Sequence, residues 1–253
     1  MAKDRRVEKV RIKNITPFGP MIMAGGIPRS IYKDFRKIVT KTLKEKKYDH
    51  KFRLAGRLED EWTIPEIDLF QTQVDEFLTS VVERYATDVA ERMLVGTQVF
   101  AGDEVFQQCQ EGFKKLQISA RRQAGWVNEM ISGEYNPVHH HPYANVTSVF
   151  FFTDTDEEFI DEIIAPNNNK NEEGIEFLNT STTDDGSLEI IYGSDNHWQV
   201  GTIRVKPKER MFLIFPANLL HTVYPFKSKS KRISASFNFQ VDSNVGGLNF
   251  GDK

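Results

Sequence analysis

Residues 126–152 read WVNEMISGEYNPVHHHPYANVTSVFFF, and this stretch decides the fold class. Its apolar runs are short and rich in Val and Phe, and Asn, Gly and Pro separate them, as is typical of antiparallel strands. The same texture continues to residue 241. It predicts strands at 126–132, 138–141, 145–153, 187–193, 202–206, 211–216, 220–224 and 232–241. About eight strands in half of a chain favour a closed double-sheet jelly roll over a parallel sheet.

The residues before 126 predict a helical layer. Pro28 precedes apolar residues at helical spacing, which predicts a helix at 29–47. A longer apolar stripe opens at Pro65 and runs to Gly96, and a third helix is predicted at 103–123. A short strand is predicted at Val10 and Ile12.

These patterns together predict an α+β, mainly β fold in one integrated domain. We expect a helical support region at 1–125, a double-stranded β-helix (jelly roll) core at 126–245, and a loose tail at 246–253.

Composition limits the class of protein further. The chain has 253 residues, of which 39% are hydrophobic and 19 are Phe, enough to bury a core. No apolar run approaches the roughly 20 residues that cross a bilayer, and the start MAKDRRVEKVRIK lacks the apolar segment of a secretory signal. The only cysteine, Cys109, rules out an internal disulfide framework, and its helical setting predicts a buried small side chain. We therefore expect a cytoplasmic protein without a membrane partner.

Charge is distributed unevenly along the chain. Residues 1–57 carry 17 Lys or Arg against 5 Asp or Glu, whereas residues 154–189 carry 12 Asp or Glu against the single base Lys170. Attraction between two such surfaces permits a homodimer. The basic end has no zinc-finger spacing or recognition-helix pattern, so we do not expect a nucleic-acid partner.

Histidine is the residue type that points to chemistry. Five of the six histidines lie between residues 139 and 221, and His139, His140 and His141 are consecutive. Side chains alternate along a strand, so His139 and His141 should point one way and His140 the other. The first two can then hold one metal ion, with a third ligand from another strand.

His221 is the natural third ligand. It follows the predicted strand MFLIFP and a turn. An isolated histidine at this place would be read as a core side chain, but the triplet favours a shared metal site. Imidazole suits Zn, Cu, Fe or Ni, and three facial ligands leave open positions for substrate and oxygen.

The segment RISASFNFQV at 232–241 alternates strictly. Its polar face, which begins with Arg232 and Ser234, either meets solvent or lines a pocket for a carboxylate. An Arg guanidinium grips a carboxylate through two parallel charge-assisted bonds. The short distance along the chain from His221 favours the pocket.

The order of these motifs resembles the iron(II)- and 2-oxoglutarate-dependent oxygenases, most closely the prolyl 4-hydroxylase-like members, including short ones found in phage and bacterial genomes. The matching segments are residues 126–152 and IRVKPKERMFLIFPANLLHTVYPFKSKSKRISASFNF at 203–239. The resemblance implies a hydroxylase that decarboxylates 2-oxoglutarate to succinate, with dioxygen and an unidentified primary substrate. If the chain is phage-encoded, the expected location is the host cytoplasm.

The resemblance also implies roles for individual residues. His139 and His221 would be iron ligands, and His141 would take the position that the family's H-x-D/E motif gives to Asp or Glu. Arg232 would pair with the distal carboxylate of 2-oxoglutarate, and Ser234 would donate a hydrogen bond to it. Tyr135 or Asn128 would add a further contact.

The departure at His141 keeps other functions open. Three neutral imidazoles leave the full +2 charge of the ion, where a carboxylate would reduce it to +1. The site is a three-histidine iron site, or another group supplies the third ligand, or the chain is an inactive descendant. The rivals are a cupin-like three-histidine dioxygenase without a 2-oxoacid and a non-catalytic jelly-roll module that binds zinc. Because imidazole binds metal only when neutral, we expect metal affinity to fall below about pH 6.

Overall fold

The structure is a computed structural model that describes residues 12–15, 19–50, 57–101, 103–153, 186–193, 201–227 and 229–244. Within these residues, eleven strands form two sheets, and four helices accompany them. The predicted tail at 246–253, Val10 and most of the acidic segment lie outside the described residues. No helix of the described part is long and apolar enough to span a bilayer.

The eight strands predicted after residue 126 are all present and make the double-stranded β-helix. They are β4 (Ile118–Met130), β5 (Asn136–His139), β6 (Val146–Phe151), β7 (Leu188–Ile191), β8 (Thr202–Val205), β9 (Met211–Pro216), β10 (Leu220–Val223) and β11 (Arg232–Ser243). The order β9-β6-β11-β4 forms the centre of the larger sheet, and β5-β10-β7-β8 forms the smaller sheet. All the pairings are antiparallel.

The region before residue 118 contributes strands as well as helices. The strand predicted at Val10 and Ile12 is present from Ile12, and two further strands in this region were not predicted. Three strands extend the larger sheet at its two edges: β1 (Ile12–Ile15), β2 (Ile22–Gly26) and β3 (Asp60–Thr63). The proposed boundary at residue 126 falls inside β4, so the division into a support region and a core remains a prediction of sequence organisation.

The helices differ from their predictions at three ends. They are α1 (Arg29–Glu45), α2 (Glu66–Phe70), α3 (Val74–Ala101) and α4 (Asp103–Lys114). The apolar stripe after Pro65 forms two helices, with Thr72 between them. The Thr72 hydroxyl donates a hydrogen bond to the Leu69 carbonyl at the end of α2. It also accepts a hydrogen bond from the Val74 backbone N–H and so caps the start of α3. Gly96 lies inside α3 and does not end it.

The predicted third helix is wrong after Lys114. From Ile118 the chain pairs with β11 as β4, because strand pairing at the sheet outweighs the weak helical pattern there. Cys109 of α4 is exposed, which corrects its predicted burial.

Two hydrophobic clusters lie on opposite faces of the larger sheet, which explains why β6 is buried at every residue and why β9 is apolar from Met211 to Phe215. One cluster packs helices onto the outer face, where the ring centroid of Phe35 of α1 lies 5.4 Å from Phe150 and 5.8 Å from Phe237. The other fills the space between the sheets and includes Phe151 and Phe215. Because neighbouring residues of a strand point to opposite faces, a strand that is covered on both faces buries all its side chains and is mainly apolar.

Gly125 of β4 is required by a close approach. A Cβ atom at this position would lie 2.5 Å from Cδ1 and Cε1 of the fully buried Phe237. We expect Gly125→Ala to lower the free energy of unfolding by about 1–3 kcal/mol through overpacking. The helical Gly112 meets nothing within 4 Å, so Gly112→Ala should raise the same quantity by up to about 1 kcal/mol. Urea titration of both variants checks this pair, and an equal effect of the two substitutions would contradict it.

Candidate metal and 2-oxoacid site

The pairing of β5 with β10 brings the predicted histidines together. His139 lies directly opposite His221 in the register, and the two ring centroids are 4.2 Å apart. His141 follows β5 in a turn, where its backbone N–H donates to the Ala217 carbonyl. Its Nε2 lies 3.2 Å from Nε2 of His221.

The three rings form a group suited to one metal ion. Their ligand atoms lie within 4.8 Å of one another, and no other such group of His, Cys, Asp or Glu occurs among the described residues. Metal–nitrogen bonds of about 2.0–2.1 Å place two ligand nitrogens roughly 3 Å apart, so the observed separation of the two Nε2 atoms fits. His140 is exposed, as predicted, but β5 ends at His139, so His140 and His141 follow the strand and do not continue its alternation as the predicted strand 138–141 required.

Backbone carbonyls fix two of the rings. Nδ1 of His139 lies 2.7 Å from the Pro137 carbonyl, and Nδ1 of His221 lies 2.9 Å from the Leu219 carbonyl. A carbonyl only accepts, so each Nδ1 carries the proton and each Nε2 lone pair faces the shared point.

Burial keeps the rings uncharged. Desolvation lowers the pKa of His139 and of His221, and it lowers the pKa of His141 to about 3, with smaller contributions from the neighbouring imidazoles. Neutral imidazole is the form that binds metal. The expected fall in metal affinity below about pH 6 assumed an ordinary histidine, and burial moves that fall to lower pH.

Arg232 carries a buried positive charge on the opposite wall. Its side chain is 4% exposed, Nε donates to the Gly186 carbonyl at 2.9 Å, and Nη1 donates to the Ser234 hydroxyl at 3.1 Å. No carboxylate among the described residues forms an ion pair with it. Desolvation lowers the pKa of Arg232 to about 10, so the guanidinium still remains charged at neutral pH.

The two candidates for a further 2-oxoglutarate contact lie in different places. Asn128 of β4 is buried in the cavity that the histidines and Arg232 line, and its Oδ1 has no hydrogen-bond partner among the described residues. Tyr135 is 41% exposed, its backbone bridges to Arg57, and it does not line this cavity. The structure thus brings Asn128 to the site and leaves Tyr135 outside it.

Sequence reasoning missed Asn136, which is buried in the same cavity with an unpartnered Oδ1 among the described residues. Strict alternation would put Asn136 and His139 on opposite faces. The register shifts between them, because His221 faces His139 and Val223 faces Asn136, so three residues of β5 span two of β10. Pro137 was the available signal, since proline within sheets is confined to edges, strand starts and bulges.

Trp126 was also missed as a wall of the site. Its ring lies 5.5 Å from the His141 ring and stacks on the His50 ring at 4.8 Å with an interplanar angle of 8°. The apolar setting of Trp126 in the sequence resembles any core residue, so only the fold reveals this contact.

A jelly roll with three convergent imidazoles in a cavity fits a protein that binds a non-haem metal ion. The family model described as "Putative 2OG-Fe(II) oxygenase" matches residues 124–238, which include all three histidines and Arg232. Over these residues the chain is similar to the 2OG-Fe(II) oxygenases, a family that uses iron(II), 2-oxoglutarate and dioxygen with a substrate.

Three solved structures show distant similarity to the chain. A Pseudomonas putida prolyl-4-hydroxylase is 12% identical, with 87% of this chain and 91% of that chain covered and a TM-score of 0.43. A Trichoplax adhaerens prolyl hydroxylase, solved with a hypoxia inducible factor oxygen degradation domain peptide, is 11% identical over 90% and 83%, with a TM-score of 0.42.

A 2OG-Fe(II) oxygenase family oxidoreductase from Burkholderia pseudomallei is 12% identical, with a TM-score of 0.33, and the match covers 60% of this chain and 58% of that chain. No curated protein sequence matches the chain. The functional interpretation of this chain therefore rests on the family match and on the geometry of the site.

The depressed pKa of His141 predicts a specific acid sensitivity of the metal-stripped protein. The unfolded chain takes up a proton here near pH 6.5, whereas the folded ring, with its pKa lowered to about 3, does not. The unfolded state then binds more protons, so stability present above pH 6.5 is lost as pH falls. His141→Gln should lose fewer degrees of Tm between pH 7 and pH 5 than the parent, and His140→Gln should match the parent. Equal losses in the parent and His141→Gln would contradict this reading.

Proposed function

We propose that the chain is a hydroxylase in which His139, His141 and His221 hold iron(II), and Arg232 with Ser234 binds the distal carboxylate of 2-oxoglutarate. Iron(II) bound there would supply the oxidative chemistry: 2-oxoglutarate would be decarboxylated to succinate, one oxygen atom of dioxygen would enter succinate, and the other would be inserted into a C–H bond of the substrate. The primary substrate is not assigned. The cytoplasmic location, the homodimer and the absence of a nucleic-acid partner stay predictions.

The single observation that carries the proposal is the charge of Arg232, which has no carboxylate partner among the described residues and lines the same cavity as three convergent imidazoles. A buried cation without an anionic partner is costly, and a bound carboxylate relieves that cost through bidentate, charge-assisted bonds. A metal site alone would fit the cupin-like and zinc-binding rivals as well. The guanidinium in the same cavity favours a diacid cosubstrate over both.

The other residues of the cavity position and shelter the cosubstrate. The Ser234 hydroxyl accepts from Nη1 of Arg232, which leaves its own proton free to be donated to a carboxylate oxygen. Met130 places its sulfur 3.6 Å from the same Nη1, and the guanidinium lies 5.5 Å from the centre of the Phe151 ring. The hydrogen bond from Nη1 to the sulfur and the cation–π contact with the ring hold the guanidinium in one position, and both side chains keep bulk water away from it. Asn128 then supplies an amide for a second polar contact.

Metal binding tests the ligand set. We expect His139→Ala, His141→Ala and His221→Ala each to abolish stoichiometric iron(II) binding, because each removes one of three ligands. His140→Ala should retain it, because that ring is exposed. Anaerobic titration with iron(II) against a chelator provides the measurement. Loss of iron in His140→Ala together with retention in His139→Ala would show that the strand register is wrong.

Zinc provides the contrast with the non-catalytic rival. If protein purified anaerobically carries stoichiometric zinc with no open coordination position, the site is a structural staple. Iron(II) with open positions supports the oxygenase.

Arg232→Ala tests the cosubstrate site. Two charge-assisted bonds worth about 1.5–3 kcal/mol each are lost, so we expect KM for 2-oxoglutarate to rise at least 100-fold. Succinate and carbon dioxide release measure it. Lys231→Ala is the matched control, because it removes the neighbouring charge, whose side chain is exposed and bonds Glu129. If neither the parent nor Arg232→Ala turns over 2-oxoglutarate, the cupin-like dioxygenase becomes the better account.

A further inference from the structure

Nδ1 of His141 has a different kind of partner from Nδ1 of His139 and Nδ1 of His221. His139 and His221 each face a backbone carbonyl two residues earlier. Nδ1 of His141 instead lies 3.3 Å from Nδ2 of the Asn238 side-chain amide. A side chain therefore takes the place that the backbone fills for the other two ligands.

The neighbouring strand holds Asn238 in place. Asn238 of β11 lies opposite Thr147 of β6 in the register, and Oγ1 of Thr147 lies 3.0 Å from Oδ1 of Asn238. The same hydroxyl lies 3.3 Å from the Phe237 carbonyl. Thr147 is buried, so this contact is sheltered from water.

Metal ligation through Nε2 requires one orientation of this amide. His141 must then carry its proton on Nδ1, and that proton needs an acceptor. A half-turn of the Asn238 amide exchanges its oxygen and nitrogen while the surrounding atoms keep their places. Oδ1 then accepts from Nδ1 of His141, Nδ2 donates to the Thr147 hydroxyl, and that hydroxyl donates to the Phe237 carbonyl. Every donor in this chain of hydrogen bonds has an acceptor.

We propose that Asn238, held by Thr147, is a positioning residue that fixes the ring orientation and the tautomer of His141. The inference rests on the proposed function, because it takes His141 as a metal ligand. An Asp or Glu at position 141 would have no tautomer to fix. His141 has two tautomers, and the Asn238 amide on the facing strand β11 selects the one that binds metal through Nε2.

Metal affinity in matched variants tests the role. We expect Asn238→Ala to weaken zinc and iron(II) binding 10–100-fold, which is the usual effect of removing an outer partner of a ligand. Asn238→Asp should bind at least as tightly as the parent, because a carboxylate only accepts and so demands a proton on Nδ1. Thr147→Val should weaken binding by less than Asn238→Ala. Gln240→Ala is the control, since that half-buried residue lies two positions further along β11.

The tautomer is the readout that a purely structural role would not move. In zinc-loaded protein with ¹⁵N-labelled histidine, the parent and Asn238→Asp should show His141 protonated at Nδ1 and bound through Nε2. Zinc on Nδ1 of His141 in the parent, or parent-like affinity in Asn238→Ala, would overturn the inference. If Asn238→Ala does not fold, the metal affinity of Thr147→Val and the tautomer of His141 in the parent spectrum test the role of Asn238.

Metal binding in these variants distinguishes failure of the proposed function from failure of the role of Asn238. Undiminished metal binding in His141→Ala would remove the proposed ligand set and the inference with it. Loss of metal in His141→Ala together with parent-like affinity in both Asn238→Ala and Thr147→Val would remove the inference alone.

Discussion

The site depends on holding three uncharged imidazoles and one buried guanidinium, which no carboxylate of the described residues pairs, in the same water-poor space between two sheets. Burial lowers the pKa of each of the three histidines and leaves Arg232 charged, so the protein offers neutral imidazoles, the form that binds metal, in the same cavity as a fixed cation. Neither condition would hold at the surface, where water would stabilise the imidazolium form and screen the guanidinium. The closed pairing of the strands is what provides this environment.

The proposed metal ligands and the proposed carboxylate site lie on different sheets. The smaller sheet carries His139 and His221 on paired strands, and the larger sheet carries Arg232 and Ser234 on β11. The apolar face of β11 packs against the helical layer through Phe237 and Phe239, which turns its polar face toward the cavity. Packing on the outside of the larger sheet thus determines which side chains line the site.

Much of this could be predicted from periodicity. Strict alternation at 232–241 separated the two faces of β11, and the eight strands of the core followed from short apolar runs bounded by turn residues. Sequence could not predict what depends on pairing partners. β2 and β3 are strands because they pair with β9 and β4 of the core sheet. The bulge at β5 that turns Asn136 inward appears only in the register with β10. Tyr135, close to His139 in sequence, lies outside the cavity for the same reason.

The most direct test of the account is a crystal structure of the protein loaded anaerobically with iron(II) and 2-oxoglutarate. The account predicts one ion bound by Nε2 of His139, His141 and His221, and a 2-oxoglutarate whose distal carboxylate contacts Arg232 and Ser234. An ion bound elsewhere, or Arg232 paired with a carboxylate of the protein itself, would contradict it.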